Sequence, residues 1–229
     1  MDYEIPTSLL LIRQRAKERP RFRGVLHSWC FFLSLPIAVV LISTAPSPRS
    51  AFAAFTFSFG VSSMLGISAL FHRTNFDDRQ WLRFRRLDHV GIYFCIAGGY
   101  TPIGMLVVDG WLQMTLLISA WAGVGIGSLL RFLPFEPPYG LMNALFLTLG
   151  WVSVLALPQL WDTLDRPWMI LLGVGGLLYT FGAFIVGLRK PDPWPTIFGY
   201  HEIWHLMVVA AAALHYVAMA FGVLPLGKQ

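Results

Sequence analysis

Hydrophobic residues occur in seven long stretches of this chain, which are separated by short segments rich in polar residues, proline or arginine. A helix needs about 20 predominantly apolar residues to cross the hydrocarbon core of a bilayer. The stretches therefore predict an all-α integral membrane protein, a bundle of seven transmembrane helices. The predicted spans are residues 25–45, 51–72, 87–107, 111–133, 141–158, 168–188 and 200–224, of which the fifth is the shortest.

The composition leaves little room for a soluble domain, since 56% of the 229 residues are hydrophobic and only 13% are charged. We expect a basic cytoplasmic segment at residues 1–24, a membrane domain at 25–224 and a short outer tail at 225–229. The basic segment carries its charges before any apolar run and ends without a cleavage pattern. No removable signal peptide is therefore expected.

The basic residues are distributed unevenly around the predicted spans. Of the 17 lysines and arginines, all except Arg49, Arg166 and Lys228 precede the first span, follow the second, or close the fourth and sixth. Lysine and arginine concentrate in the cytoplasmic loops of membrane proteins. The pattern predicts a cytoplasmic N-terminus and, after seven crossings, a C-terminus outside.

The net charge of +5 does not by itself indicate nucleic-acid binding. The basic residues border apolar spans and are not interleaved with exposed aromatic residues, as they are in many nucleic-acid-binding surfaces. Orientation in the membrane and attraction to anionic lipid headgroups at the inner face explain the charge better. We therefore expect membrane lipids as partners, and no nucleic acid.

Polar and ionisable side chains lie at one predicted depth in three of the spans. The second span ends at the cytoplasmic face, and the third and seventh spans begin there. Histidine and aspartate are costly within a bilayer and by default mark a functional site. The residues are Ser68 and His72 in the second span, Asp88 and His89 in the third, and His201 and His205 in the seventh.

Three of these histidines match the ligand set of a zinc site. His201 and His205 are four residues apart and share one helix face, with about 6 Å of rise between them. With His72 they would supply three protein ligands, the number found in catalytic zinc sites that leave the fourth position to water. Zinc-bound water can reach a pKa near 7. We expect Asp88 to orient that water or carry its proton, and Ser68 to hydrogen-bond nearby.

Simpler interpretations of these residues stay open. A lone histidine within a membrane is more often a hydrogen-bonding link between helices than a metal ligand. Asp88 could instead pair with Arg85 or Arg86 at the membrane interface. The full set of polar residues at one depth favours the metal site over both alternatives.

The segment HEIWH at residues 201–205 also satisfies the H-E-x-x-H pattern of metalloproteases. In that interpretation Glu202 would be the general base of an intramembrane protease. A protease does not predict the S-x-x-x-H pattern that ends at His72, the best candidate for a third ligand. A carboxylate at the membrane interface is also ordinary, so the pattern alone is weak evidence.

The other histidines receive supporting roles. His215 lies ten residues beyond the H-E-x-x-H segment, about 15 Å further along a helix. We interpret it as an interhelical contact. His27 and His89 are near the depth of the predicted site, and we interpret them as supporting or interfacial residues rather than ligands.

Glycines recur within two of the predicted spans, where a phosphate-binding loop could be considered. No predicted strand precedes them, and small residues within membrane spans usually let helices approach closely. We therefore expect a packing role for these glycines. They are Gly123, Gly125 and Gly127 in the fourth span, and Gly173, Gly175 and Gly176 in the sixth.

Three motifs in this order resemble the signature of the hemolysin III and progestin/adiponectin receptor family, and the resemblance runs from about residue 20 to 224. They are Ser68-x3-His72 in the second span, Asp88-x2-Gly91-Ile92 in the third and His201-x3-His205 in the seventh. The family's first motif places a glutamate and an asparagine before a histidine near the first span. If His27 is that histidine, Arg23 stands in place of the asparagine and Pro20 in place of the glutamate.

The resemblance implies a seven-helix fold with the N-terminus inside. It also implies zinc held by His72, His201 and His205, with Asp88 close to the zinc-bound water. Receptors of this family and the similar alkaline ceramidases are associated with hydrolysis of lipid amide bonds. Bacterial members are associated with a cytolytic role, and this chain looks more like that branch, in the bacterial inner membrane.

From these features we predict a zinc-dependent hydrolase of a lipid amide or ester, in which metal-bound water attacks the carbonyl. Asp88 would carry the proton and Ser68 would support it, while His72, His201 and His205 would hold the metal. The alternative is a non-enzymatic protein, either a cytolysin or a ligand-sensing receptor, with structural zinc. An intramembrane metalloprotease is the third interpretation.

Overall fold

The computed structural model describes residues 19–133, 138 and 140–228. Most of the predicted basic segment, residues 1–18, lies outside the described residues. Within the described part the secondary structure is helical, apart from one isolated bridge between Trp194 and Phe198. The helices are α1 (Val25–Ser43), α2 (Pro48–Arg73), α3 (Asp78–Leu106), α4 (Gly110–Phe132), α5 (Leu141–Thr163), α6 (Arg166–Leu188) and α7 (Tyr200–Gly227).

Six of these helices, all except α3, are long and apolar enough to cross a membrane. The first turns of α3 carry charged residues that lower its hydropathy, whereas its second half is apolar and packs against α2. The helices follow the seven predicted stretches in order, which confirms an all-α helical membrane bundle. The orientation in the membrane stays a prediction. We therefore call the end that holds Arg73 and Arg189 the predicted cytoplasmic end.

The third helix begins at Asp78, well before the predicted start of its span at residue 87. Asp77 caps this end, because its carboxylate accepts a hydrogen bond of 2.8 Å from the backbone N–H of Gln80. The Gln80 side chain in turn accepts one of 3.3 Å from the backbone N–H of Asp77. This reciprocal capping satisfies donors that the first turn leaves unpaired. The hydrophobic pattern thus marked the apolar part of the helix and not its beginning.

The fifth helix also extends beyond its predicted end at residue 158, and it contains an irregular 3₁₀ stretch at Val152–Ala156. The Tyr100 hydroxyl lies 2.6 Å from the carbonyl oxygens of both Leu149 and Gly150. It also accepts a hydrogen bond of 3.0 Å from the backbone N–H of Ser153. Backbone groups released from a regular helix within a membrane need such partners. Tyr100 therefore allows α5 to continue through the irregular stretch.

The second helix is central, with 67% of its most apolar window buried, compared with 17% to 39% for the other candidate spans. It approaches α3 closely where two glycines face each other. A Cβ added to Gly98 would lie 2.6 Å from the carbonyl oxygen of Thr56, and one added to Gly60 would meet that of Phe94. This close packing fixes α2 against α3, and with it the relative positions of Ser68 and Asp88.

The predicted packing role of the glycines in α4 and α6 is only partly correct. An added Cβ would contact a neighbouring helix at Gly123, Gly127 and Gly175. For the other three the prediction is wrong, because among the described residues nothing lies within 4 Å of an added Cβ; they are Gly125, Gly173 and Gly176. Gly125 and Gly173 are exposed, and Gly173 and Gly176 line a cavity. Open space rather than helix contact explains the small residues there.

Candidate metal centre

Three histidines meet at the predicted cytoplasmic end of the bundle. His72 lies in the last turn of α2, and His201 and His205 lie in the first two turns of α7. The side chains of His72 and His205 are buried, and that of His201 is partly buried. The i, i+4 spacing places the two α7 histidines on the same helix face, towards α2. Two helices far apart in sequence therefore supply one cluster.

The three imidazole rings form a compact triangle. The ring centroid of His72 lies 4.8 Å from that of His201 and 5.0 Å from that of His205. The ring centroids of His201 and His205 are 4.7 Å apart. The Nε2 atoms of His72 and His201 are 3.2 Å apart. One ring nitrogen from each residue lies within 4.8 Å of the others, so the cluster could hold a metal ion.

A fourth imidazole, His27 of α1, stacks on this cluster. Its ring lies 3.8 Å from that of His205, with 12° between the planes. Only 2% of His27 is exposed, and within the described residues neither ring nitrogen has a hydrogen-bond partner. His27 therefore packs against a candidate ligand, which agrees with the supporting role expected from its depth.

Ser68 and Asp88 come together beside the histidines. Ser68 lies one turn before His72 on α2, and its side chain is close enough to the Asp88 carboxylate on α3 to influence it. Arg85 and Arg131 also exert an electrostatic influence on that carboxylate. Both Ser68 and Asp88 line the same cavity as the three histidines. Asp88 therefore borders the histidine site and is also influenced by nearby arginines.

The two remaining histidines make other contacts. The Nδ1 atom of His89 lies 2.7 Å from the carbonyl oxygen of Arg85, one turn earlier in the same helix. Nε2 of His215 lies 3.2 Å from the carbonyl oxygen of Leu172, so this residue links α7 to α6. The interhelical contact predicted for His215 is confirmed.

Both carboxylate oxygens of Glu202, the glutamate of the H-E-x-x-H pattern, have bonding partners. Oε1 forms an ion pair with Nε of Arg23, and Oε2 accepts a hydrogen bond of 2.8 Å from the backbone N–H of Gly199. Only 2% of Glu202 is exposed. The sequence interpretation missed this pair because Arg23 and Glu202 are 179 residues apart. Their opposite charges were the only available signal.

A cavity of about 1070 Å³ extends from the histidine centre into the bundle. At the predicted cytoplasmic end it is bordered by the histidines, Arg23 and Asp88. It reaches Ile103, Leu160 and Met219 towards the opposite ends of α3, α5 and α7. Most of the side chains between these limits are apolar. The cavity is therefore shaped for a long apolar molecule with one end near the histidines.

Comparison with known proteins agrees with the resemblance drawn from the motifs. The chain matches a family model described as Haemolysin-III related over residues 15–216. It is 32% identical to Hemolysin-3 of Bacillus cereus over 206 residues, and these aligned residues cover 88% of this chain and 90% of that protein. It is 31% identical to the Hemolysin-3 homolog of Bacillus subtilis (strain 168), with coverages of 86% and 91%.

A more distant relative has a receptor name. The Adiponectin receptor protein of Drosophila melanogaster is 30% identical over 187 residues, which cover 70% of this chain and 40% of that protein. The apolar helices and these relatives agree with the predicted location, a multi-pass protein of the bacterial inner membrane. This chain belongs to the haemolysin-III-related family of membrane proteins.

Proposed function

We propose that this protein is a zinc-dependent hydrolase that acts on an amide or ester bond of a membrane lipid. One observation carries the proposal: three clustered histidines stand at the end of an apolar cavity of about 1070 Å³. A hydrolytic centre for a lipid needs a polar reacting end and an apolar site for the acyl chain. The two features are joined in this bundle.

The donor set fits zinc. Three imidazoles are a ligand set of catalytic zinc sites, whose Zn–N distances of about 2.0–2.1 Å place tetrahedral nitrogens roughly 3.3 Å apart. The Nε2 atoms of His72 and His201 are already 3.2 Å apart, and the third histidine offers a nitrogen within 4.8 Å of both. When bound, zinc supplies a Lewis acid and lowers the pKa of water enough to yield a nucleophile near neutral pH.

Asp88 is the group that would move the proton. Its carboxylate would accept the proton of the attacking water and pass it to the leaving amine or alcohol as the carbonyl–heteroatom bond breaks. The Ser68 hydroxyl would hold the carboxylate in one orientation, and its place one turn from His72 ties that orientation to the metal centre. The two catalytic residues predicted from sequence would thus have distinct roles.

The cavity would hold the acyl chain and align its carbonyl with the histidines. Its volume of about 1070 Å³ lies just above the usual range for ligand sites, about 300–1,000 Å³. Trp151 and Val154 of α5 and Leu177 of α6 line the cavity and are also exposed. This arrangement favours entry of a lipid between α5 and α6, directly from the bilayer.

The protease alternative is weakened by the contacts of Glu202. A general base must reach the water or substrate from which it takes a proton. Both oxygens of Glu202 have partners, and the residue is buried in the first turn of α7 beside Arg23. Asp88 has a better position for that role because it lines the cavity.

The alternative from another class is a non-enzymatic membrane protein with structural zinc. The names of the relatives favour it, since they include Hemolysin-3 and an adiponectin receptor. A cytolysin or a lipid-sensing receptor could use the same cavity to bind a lipid without cleaving it. Anionic headgroups at the predicted cytoplasmic end would be partners in either case.

The decisive experiment measures zinc content and lipid hydrolysis in the same detergent-purified preparations. We expect His72→Ala to lose zinc, and Asp88→Ala to keep zinc but lose turnover by about 10²–10⁴-fold. His215→Ala is the matched control for zinc content, since this histidine lies close to the carbonyl oxygen of Leu172 and is not part of the cluster. Zinc without hydrolysis of any lipid amide or ester in a broad panel would favour the structural or receptor role. Wild-type protein without zinc would reject the metal centre.

A further inference from the structure

Residues 19–24, which precede α1, fold across the predicted cytoplasmic end of the bundle. We call this segment the cytoplasmic cover. The backbone N–H of Arg21 donates a hydrogen bond of 3.0 Å to the carbonyl oxygen of Thr196, and that of Phe22 donates one of 3.2 Å to Ile197. These bonds join the cover to the loop between α6 and α7. The cover is therefore held in place by backbone pairing as well as by side chains.

The cover also contacts the end of α2 that bears His72. The Arg19 guanidinium donates hydrogen bonds of 2.8 Å and 3.0 Å to the carbonyl oxygens of His72 and Thr74. Carbonyls at a helix C-terminus lack helical partners and favour a cation. Burial, and then the nearby Arg23 and Arg73, lower the pKa of Arg19. The cover thus concentrates positive charge at this helix end.

The third attachment reaches the helix that bears the other two histidines. Arg23 forms the ion pair with Glu202, which lies between His201 and His205 in α7. Glu202 also binds the backbone N–H of Gly199, directly before the helix. A single short segment is therefore bonded to α2 at His72 and to α7 next to His201. It bridges the two elements that must stay together for the histidines to share an ion.

We infer that the cytoplasmic cover helps the histidine centre to retain its metal. Arg23 and Glu202 act as positioning residues that hold α7 against α2, and they slow the exchange of metal with the cytoplasm. Glu202 then has no role as a general base. The inference rests on the proposed metal centre, but it concerns the retention of metal and is independent of hydrolysis.

The ion pair is suited to this role by its burial. Removing one partner of a buried pair leaves an uncompensated charge in a poorly solvated place, which is strongly unfavourable. The first turn of α7 can relieve that charge only by shifting or admitting water, and His201 and His205 would move with it. Loss of groups that orient metal ligands typically weakens metal affinity by about 10–100-fold.

The test follows zinc release from full-length detergent-purified protein into a chromogenic chelator. The variants are Arg23→Gln, Glu202→Gln and the double variant, with thermal unfolding measured in parallel. Arg21→Gln is the matched control, because it removes the same charge from the same segment and the Arg21 side chain is exposed. We expect each single variant to release zinc at least about tenfold faster, the double variant no faster than the singles, and Arg21→Gln at the wild-type rate.

Release from Arg23→Gln at the wild-type rate would overturn the inference, as would additive effects in the double variant. Loss of turnover in Glu202→Gln alone, with zinc release unchanged, would restore the general-base role. If a neutral variant does not fold, Glu202→Asp is measured instead. The aspartate side chain is one methylene shorter, so its carboxylate cannot reach both Arg23 and the backbone N–H of Gly199. Faster zinc release then supports the inference, and release at the wild-type rate contradicts it. Wild-type protein that binds no zinc would reject the proposed function itself.

Discussion

The imidazoles of His27 and His205 lie face to face, with 3.8 Å between ring centroids and 12° between ring planes. His205 is a candidate metal ligand, whereas His27 comes from α1 and its ring nitrogens have no side-chain hydrogen-bond partner among the described residues. Stacking limits rotation of the His205 ring about its side-chain torsions. The first helix therefore helps to orient His205, a candidate ligand that belongs to α7.

Replacing His27 separates packing from metal binding. We expect His27→Phe, which keeps a flat ring, to retain zinc. His27→Ala removes a buried side chain and should lower the free energy of unfolding by about 2–4 kcal/mol, with weaker zinc binding because the His205 ring is freed. Chemical denaturation and zinc titration measure both effects. If His27→Phe loses zinc as completely as His72→Ala, His27 is a ligand and the supporting role is wrong.

Gly24 is required at the junction between the cover and α1. Its φ of 74° is in the left-handed region, and an added Cβ would lie 2.6 Å from Cβ of His72. Gly24→Ala should destabilise the fold by more than the cost of about 1–2 kcal/mol for the backbone alone, and should weaken zinc binding by displacing His72. Thermal unfolding and zinc titration check this.

Gly110→Ala is the control for that variant. Gly110 has a φ of 63°, but none of the described residues lies within 4 Å of its added Cβ. It therefore reports backbone strain without the contact. Equal losses of stability and of zinc affinity in the two variants would show that the approach to His72 is unimportant.

The glycine contact between α2 and α3 can be tested by two adjacent substitutions. Gly98→Ala would push a methyl group against the Thr56 carbonyl oxygen, 2.6 Å away, and should cost about 1–3 kcal/mol of stability. Gly99→Ala has open space at the same depth of the same helix, and should be neutral or stabilising by up to about 1 kcal/mol. Thermal unfolding in one detergent compares them. A similar effect of both would contradict close packing at Gly98.

Filling the cavity should change which lipids the protein accepts. Gly173 lines the cavity and has room for a side chain, so Gly173→Phe should shorten the preferred acyl chain while zinc content stays unchanged. Hydrolysis, or binding if the protein is not an enzyme, is measured across amides of increasing chain length. Gly125→Phe is the control, because Gly125 of α4 also has room for a side chain but is not among the residues that line the cavity. An unaltered chain-length preference in Gly173→Phe would place the acyl chain elsewhere.

Much of this architecture follows from the sequence, because crossing a bilayer imposes a minimum apolar length that short polar joints interrupt visibly. The same logic predicted that His72, His201 and His205 share one depth, since α2 ends where α7 begins. The regular geometry of a helix then places His201 and His205 on one face. The hydrophobic pattern failed where capping extends α3 to Asp78 and where Tyr100 supports the irregular part of α5.

Tertiary structure decided everything that depends on contacts between distant segments. Depth in the membrane does not determine rotation of a helix, so only packing brought three imidazoles within 4.8 Å of one another. The stack of His27 on His205, the pairing of Arg23 with Glu202 and the space beside Gly173 have the same origin. Hydrophobic pattern reports which residues avoid water, whereas close packing selects the neighbours that each of them meets.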